Sequence, residues 1–433
     1  MSKISRIAIL HGGGPAPGSA AVFEGAVKTA AALGIEIWGI PYGFSGLRKG
    51  DISKASPLSA ADVEGASQQG GTFLPTHRAS LHGDSKFSEN AVSALKGAKI
   101  EGIIVVGGED SGSSAYVLEQ TAKSCGAALA VVHVAKTIDG DIYHPSNLPT
   151  FGVDSAAKEA ARDLLACNRE LVANPERCYL VGIMGRSSGE LARRAAEEAA
   201  DLGAPPDLVL VPEIFSDLVP MEIIRNVITG AIIKARSRGK QGIIVLCSEG
   251  VLERCTEESV KHLIADAPLD DHGHLQHSRI QFAYHMARLV EDFHERIGLT
   301  DSSGKPVPVT SIEVGYGRLR CGAPSPFDRE YCLAVGQEAV KFIKNGSSGA
   351  TLFYRGEGAV EAHPFVKSVN ASTRRMRTRP MDLNAYKRLL KKEVPFFEEK
   401  DLFDERFHKE TRLSGYAFAV RFAGAAAATD HLL

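Results

Sequence analysis

The chain has 433 residues with 50 basic and 52 acidic side chains, a formal net charge of −2, so no global field would hold a nucleic acid or an anionic membrane. Hydrophobic residues make up 44% and charged residues 24%, which excludes an extended disordered chain and allows two domains, each with its own core. Seven cysteines never form a C-x-x-C pair, and no run reaches the ~18 apolar residues of a spanning helix, so reduced thiols and a cytoplasmic location are expected.

In chain order, short β-rich apolar runs at 7–10, 102–106, 129–132, 179–183, 208–211 and 242–246 predict buried strands. Segments between them, such as 156–171 and 191–202, carry Ala, Leu, Glu and Arg at helical spacing. Strand and helix alternate as in a doubly wound α/β protein. The expected division is residues 1–150 with about 311–346 returning as one domain, and 151–310 with about 347–390 as the other. Residues 391–433 are expected as a mainly helical C-terminal extension.

Ligands of open parallel sheets bind beyond the carboxyl ends of strands, so the residues just after each run are where chemistry is expected. The first run enters His11-Gly12-Gly13-Gly14-Pro15-Ala16-Pro17-Gly18-Ser19, where glycines let backbone N–H groups approach a phosphate ahead of a helix. No G-K-[ST] comes after it, so this is not a Walker A loop. Gly70-Gly71 precedes Arg78, a guanidinium that could face a donor phosphate. The run 102–106 ends in Gly107-Gly108-Glu109-Asp110; adjacent carboxylates repel unless a cation relieves them, and Mg²⁺ would do so.

Lys136-Thr137-Ile138-Asp139-Gly140-Asp141 is the most informative stretch. In an extended segment Asp139 and Asp141 would point the same way, with Lys136 as a point charge for phosphate. A carboxylate that accepts a hydroxyl proton is what phosphoryl transfer to a sugar requires. The second half offers Arg177, then Met184-Gly185-Arg186, Glu213, and Tyr316, Arg318 and Arg320 among glycines. His272, His274, His277 and His285 match no zinc spacing and are expected as a polar connection into a helix. The basic run Arg374, Arg375, Arg377 and Arg379 is expected as a solvated face.

The order and spacing of these stretches over roughly residues 5 to 335 resemble the phosphofructokinase family. The resemblance implies two doubly wound Rossmann-like α/β domains of the phosphofructokinase fold, with the sugar phosphate between them. It implies Mg²⁺-dependent, reversible phosphoryl transfer to the 1-hydroxyl of fructose 6-phosphate. Asp139 would be the general base, Thr137 and Asp141 would position substrate and metal, and Arg186 and Lys136 would stabilise the transferring phosphoryl group. Gly13, Gly14, Arg78, Gly108, Asp110 and Lys136 would bind the donor, with Glu109 and Asp110 at the metal. Met184, Gly185, Glu213, Tyr316, Arg318 and Arg320 would hold the sugar phosphate, Arg320 at its 6-phosphate. Arg177 resembles an arginine lent to a neighbouring subunit, which implies a homodimer or homotetramer.

Members that use ATP carry glycine at the place of Asp110, whereas users of pyrophosphate resemble this chain, with Asp there and a lysine near Lys136. A carboxylate at that point would crowd and repel a nucleotide's α-phosphate, so pyrophosphate is the expected donor. The chain departs from the family pattern at Glu109 for Asp, at Ala135 for Pro, in a Tyr316–Arg320 stretch one residue longer, and in lacking an arginine at 307–311.

Overall fold

The computed structural model describes residues 4–215, 217–264, 266–269, 275 and 279–393. Six strands precede residue 156: β1 (Arg6–His11), β2 (Glu36–Ile40), β3 (Ser56–Leu58), β4 (Gly102–Gly107), β5 (Ala130–Thr137) and β6 (Phe151–Gly152). Four come next, β7 (Cys178–Ile183), β8 (Leu208–Leu210), β9 (Ile243–Ser248) and β10 (Val309–Glu313). The last two are β11 (Ala350–Gly356) and β12 (Ala359–Pro364). The chain forms two compact units, Met1–Ala156 with Gly317–Arg379, and Ala157–Tyr316 with the chain from Pro380 onward.

The first unit is built on one sheet in the order β12-β11-β5-β4-β1-β2-β3, with β6 paired to β5. Its central strands are continuous apolar runs because helices cover both faces: Ile7, Ile9, Ile103, Ile104, Val105, Val131 and Val132 are fully buried. Each such side chain contributes about 1.5–3 kcal/mol by leaving water. The parallel register sets His11 beside Val106 and Gly107 beside Ala135. The carboxyl ends of β1, β4 and β5 therefore share one edge, and the three sequence stretches richest in chemistry start there.

Helix Ser19–Ala32, which leaves the first glycine loop, packs against helix Pro326–Lys344. The backbones touch at two glycines: a Cβ on Gly25 would lie 2.4 Å from the Leu333 carbonyl oxygen, and one on Gly336 2.3 Å from that of Val22. Buried Asp328 fixes the same helix, accepting from the Gly152 and Ser155 N–H groups at 2.9 Å each. Burial pushes its carboxyl up to about 6, and the amide donors oppose that shift.

Two expected boundaries move. Residues 350–364, expected in the second domain, form β11 and β12 on the first sheet, with β11 parallel to β5 (Ala350↔Val132) and β12 antiparallel to β11. The run Ala350-Thr351-Leu352-Phe353-Tyr354 is legible as a strand, but its partner lies more than 200 residues away and leaves no local trace. The return to the first unit comes at Gly317 rather than about 311, because β10 pairs with β7 (Val309↔Cys178).

The second unit carries a four-stranded parallel sheet, β10-β7-β9-β8. Helices Glu190–Asp201 and Met221–Ser237 pack on β9, and Phe282–Ile297 packs on β10 and β7. Among the described residues no helix is long and apolar enough to cross a membrane. Residues 394–433 of the expected extension lie outside the described residues, as do His272, His274 and His277; His285 is on helix Phe282–Ile297.

Candidate active site

The first unit gathers the glycine loop, a buried lysine and a set of carboxylates at one sheet edge. Gly12 N–H donates to the Val106 carbonyl at 2.8 Å, and Gly13 N–H to that of His77 at 3.1 Å. Gly13 has φ +77°, and a Cβ on Gly12 would stand 2.3 Å from Ser111 Oγ. At Gly14 a Cβ would fall 1.6 Å from Arg320 Nη2. Lys136, at the end of β5, is buried and donates from Nζ to the Gly14 carbonyl at 2.8 Å.

Burial, then the nearby charges of Arg320 and Arg78, push the Lys136 ammonium down to about 8. Lys136 and Arg320 thus lie against the glycine loop, with the Arg78 charge felt at Lys136, an arrangement suited to a polyanion. Arg320, expected at a sugar's 6-phosphate, is set by the structure over this loop, with Nε 3.4 Å from the Pro15 carbonyl.

The segment after Lys136 is not extended. It bends at Gly140, φ +67°, so the expectation that Asp139 and Asp141 point alike from a straight segment does not hold. Thr137 braces the bend: its hydroxyl donates to Asp141 Oδ1 at 2.9 Å and accepts the Asp139 N–H at 3.0 Å. Burial raises the Asp141 carboxyl, against the Thr137 hydrogen bond and the charges of Lys136 and Arg379.

Gly108 precedes helix Glu109–Ser124, whose first turn carries Glu109 and Asp110. Burial raises the Glu109 carboxyl, and the charges of Asp110 and Asp141 raise it further. Three carboxylates in one another's field are what a divalent cation relieves, so their charge suits Mg²⁺, although among the described residues their oxygens are not gathered within 4.8 Å of one another.

The basic run is exposed at Arg374, Arg375 and Arg377, as a solvated face would be, while its backbone is tied to this edge. Arg379 N–H donates to the Asp141 carbonyl at 2.7 Å, and Tyr143 N–H to that of Arg377 at 3.0 Å. Arg375 Nη1 lies 3.2 Å from Asp110 Oδ1 and 3.8 Å from Glu109 Oε1. His11 was also without a sequence signal: it is fully buried, neither ring nitrogen has a hydrogen-bond partner among the described residues, and burial with the Lys136 and Arg320 charges keeps it neutral.

A separate group, His144, Glu361 and His363, brings its ligand atoms within 4.8 Å of one another. Ser146 N–H donates to His144 Nδ1 at 3.1 Å, which leaves the proton on Nε2, 3.2 Å from Glu361 Oε1. Glu361 Oε2 meets Arg355 at 3.2 Å. With that tautomer His144 offers Glu361 a proton and not a lone pair, so the group is a hydrogen-bonded brace between the loop and β12.

In the second unit Met184-Gly185-Arg186 comes directly after β7. Gly185 has φ +130°, and its carbonyl accepts from Ser248 Oγ at 2.6 Å. Arg186 is exposed and paired with Glu253. Glu213 Oε1 accepts from the N–H groups of Gly189 at 2.9 Å and Met381 at 2.8 Å, which aims the carboxylate at the turn after Arg186. Arg177 Nη1 lies 3.1 Å from Thr310 Oγ1. Tyr316 and Arg318 are exposed on the short helix Tyr316–Cys321.

A family model described as phosphofructokinase matches residues 6–343. The chain belongs to the phosphofructokinase family. It is thus related to a family of kinases, transferases of glycolysis. It is 31% identical over 405 residues to the pyrophosphate–fructose 6-phosphate 1-phosphotransferase of Thermotoga maritima, covering 92% of each chain. It is 29% identical over 353 residues to an ATP-dependent 6-phosphofructokinase of Thermotoga neapolitana, covering 82% of this chain and 91% of that protein. The crystal structure of a pyrophosphate-dependent phosphofructokinase from Marinobacter aquaeolei superposes with a TM-score of 0.66 at 18% identity, over 88% of this chain and 86% of that one.

The family's glycine loop has a measurable requirement here. In Gly14→Ala the new methyl must displace the Arg320 guanidinium, the mobile end of a long side chain, so the fold should survive with little change in melting temperature. Donor KM is expected to rise by about 10-fold or more, the loss of a charge-assisted phosphate contact. Steady-state kinetics beside a thermal melt checks both halves.

Proposed function

We propose that this phosphofructokinase transfers the terminal phosphoryl group of pyrophosphate to the 1-hydroxyl of fructose 6-phosphate, reversibly and with Mg²⁺. The observation that carries the donor choice is Asp110: a carboxylate in the first turn of helix Glu109–Ser124, paired with Arg375 at 3.2 Å. Pyrophosphate ends where a nucleotide would continue into a third phosphate and a ribose, so a side chain held there favours the shorter donor. The Thermotoga maritima relative, named as a pyrophosphate enzyme, supports the same reading.

In this mechanism Asp139 accepts the hydroxyl proton as the sugar oxygen bonds to phosphorus. The phosphorus–oxygen bond to the departing phosphate breaks, with Lys136 and Arg78 holding the donor's charge beside Gly13, Gly14 and Gly108. Arg186 stabilises the transferring group, while Met184, Gly185, Glu213, Tyr316 and Arg318 position the sugar phosphate, Arg320 faces the donor over the glycine loop, and Thr137 and Asp141 brace the loop. Glu109 and Asp110 would hold Mg²⁺, which when bound neutralises phosphate charge. The working form is a homo-oligomer in which Arg177 serves a neighbouring site.

The test compares kcat/KM for pyrophosphate and ATP at equal Mg²⁺, with fructose 6-phosphate and sedoheptulose 7-phosphate as acceptors. Pyrophosphate is expected to be favoured by roughly 100-fold or more, as steric exclusion of the longer donor allows. Preference for ATP would overturn the donor assignment, and preference for the seven-carbon sugar the acceptor.

A further inference from the structure

The loop that carries Arg375 lies beyond residue 343, where the family match ends, yet it is built into the first unit. Met376 is buried, its N–H donates to Ser113 Oγ at 2.8 Å, and a Cβ on Gly112 would lie 2.8 Å from its Cγ. Thr378 bridges to Ile142, and Arg379 N–H holds the Asp141 carbonyl. The loop is thereby tied to the helix bearing Glu109 and Asp110 on one side and to the segment bearing Asp139 on the other. Between these anchors Arg375 extends its guanidinium to both carboxylates of the first turn.

This pairing changes how Asp110 can act. A bare carboxylate would repel pyrophosphate as well as a nucleotide, since both donors are anionic. Paired with a guanidinium, it presents little net charge and a larger volume. From this we infer that Arg375 is a specificity-determining residue for the donor: with Asp110 it forms a two-residue bar that shortens the donor site, and its remaining N–H groups face the outer phosphate of an inorganic diphosphate. The inference rests on pyrophosphate being the donor. Arg375 is about half exposed, and exposed ion pairs contribute little to folding, so its replacement should act on the donor and not on stability.

The experiment uses the full chain with Arg375→Ala, Arg375→Lys, Asp110→Gly and the double variant Asp110→Gly/Arg375→Ala. Arg375→Ala is expected to raise pyrophosphate KM roughly 10-fold with kcat within about 3-fold and fructose 6-phosphate KM unchanged, the signature of lost ground-state binding. Calorimetric binding of magnesium pyrophosphate should weaken by the same factor, and Arg375→Lys should restore part of it. Only the double variant should gain measurable turnover with ATP. If the unmodified enzyme runs on pyrophosphate while Arg375→Ala leaves pyrophosphate KM and binding within 2-fold, this inference falls alone. If the unmodified enzyme prefers ATP, the donor reading falls and takes it along. A drop in melting temperature large enough to account for the lost binding, unrelieved in Arg375→Lys, would also count against it.

Discussion

Replacing Asp139 by asparagine is expected to lower kcat by about 10²–10⁴, the usual contribution of a positioned general base, while fructose 6-phosphate binding stays within about 3-fold. The amide keeps the size of the carboxylate and can still accept a hydrogen bond from the sugar hydroxyl. It cannot take up the proton. The loop should keep its shape, because it is the Asp139 backbone N–H that bonds Thr137 Oγ1. Asp141→Asn is the informative contrast: Asp141 Oδ1 receives the Thr137 hydroxyl, so that variant should loosen the bend and weaken substrate and metal binding together. Steady-state rates combined with calorimetric titration of fructose 6-phosphate separate the two outcomes. Near-normal turnover in Asp139→Asn would remove Asp139 from the role of base.

The strands and the glycine loop were readable because their causes are local. β1, β4 and β5 are buried on both faces, which demands continuous apolar runs, and the loop after β1 needs glycine where Ser111 and Arg320 stand too close for a side chain. What could not be read depends on distant partners. Arg320 meets a loop about 300 residues earlier, β11 completes a sheet begun before residue 137, and Arg375 looks like one of four surface arginines until Met376 is seen buried beside Gly112. His11 is silent for a different reason: a single histidine at a strand end has many uses, and only its enclosed position near Lys136 distinguishes it. The bend at Gly140 was hidden because two aspartates at spacing two fit both a straight segment and a turn.

Lys136 should make donor affinity fall in alkaline solution. Its ammonium is held down to about 8 rather than the ordinary 10.5, first by burial and then by Arg320 and Arg78. At pH 7 it is mostly charged and can meet phosphate; above pH 8 the free enzyme increasingly presents a neutral amine. Pyrophosphate KM is therefore expected to climb through pH 8, with kcat less affected because bound phosphates favour the charged form. Lys136→Met should lose about 10²–10³ in kcat/KM for the donor at pH 7 and abolish the alkaline rise. Lys136→Arg should not rescue it, since a planar guanidinium does not replace a compact ammonium in a buried slot. The stability sign is opposite. Between about 8 and 10.5 the folded chain binds fewer protons at this site than the unfolded chain, so stability rises with pH there, and the charged lysine costs the fold on the order of 3 kcal/mol below pH 8. Lys136→Met should thus melt no lower than the unmodified protein at pH 7, with any advantage shrinking by pH 10 as the native amine is neutralised. A variant that loses activity only because it unfolds, or a pyrophosphate KM that stays flat from pH 7 to 9 in the unmodified enzyme, would show that Lys136 does not carry donor charge.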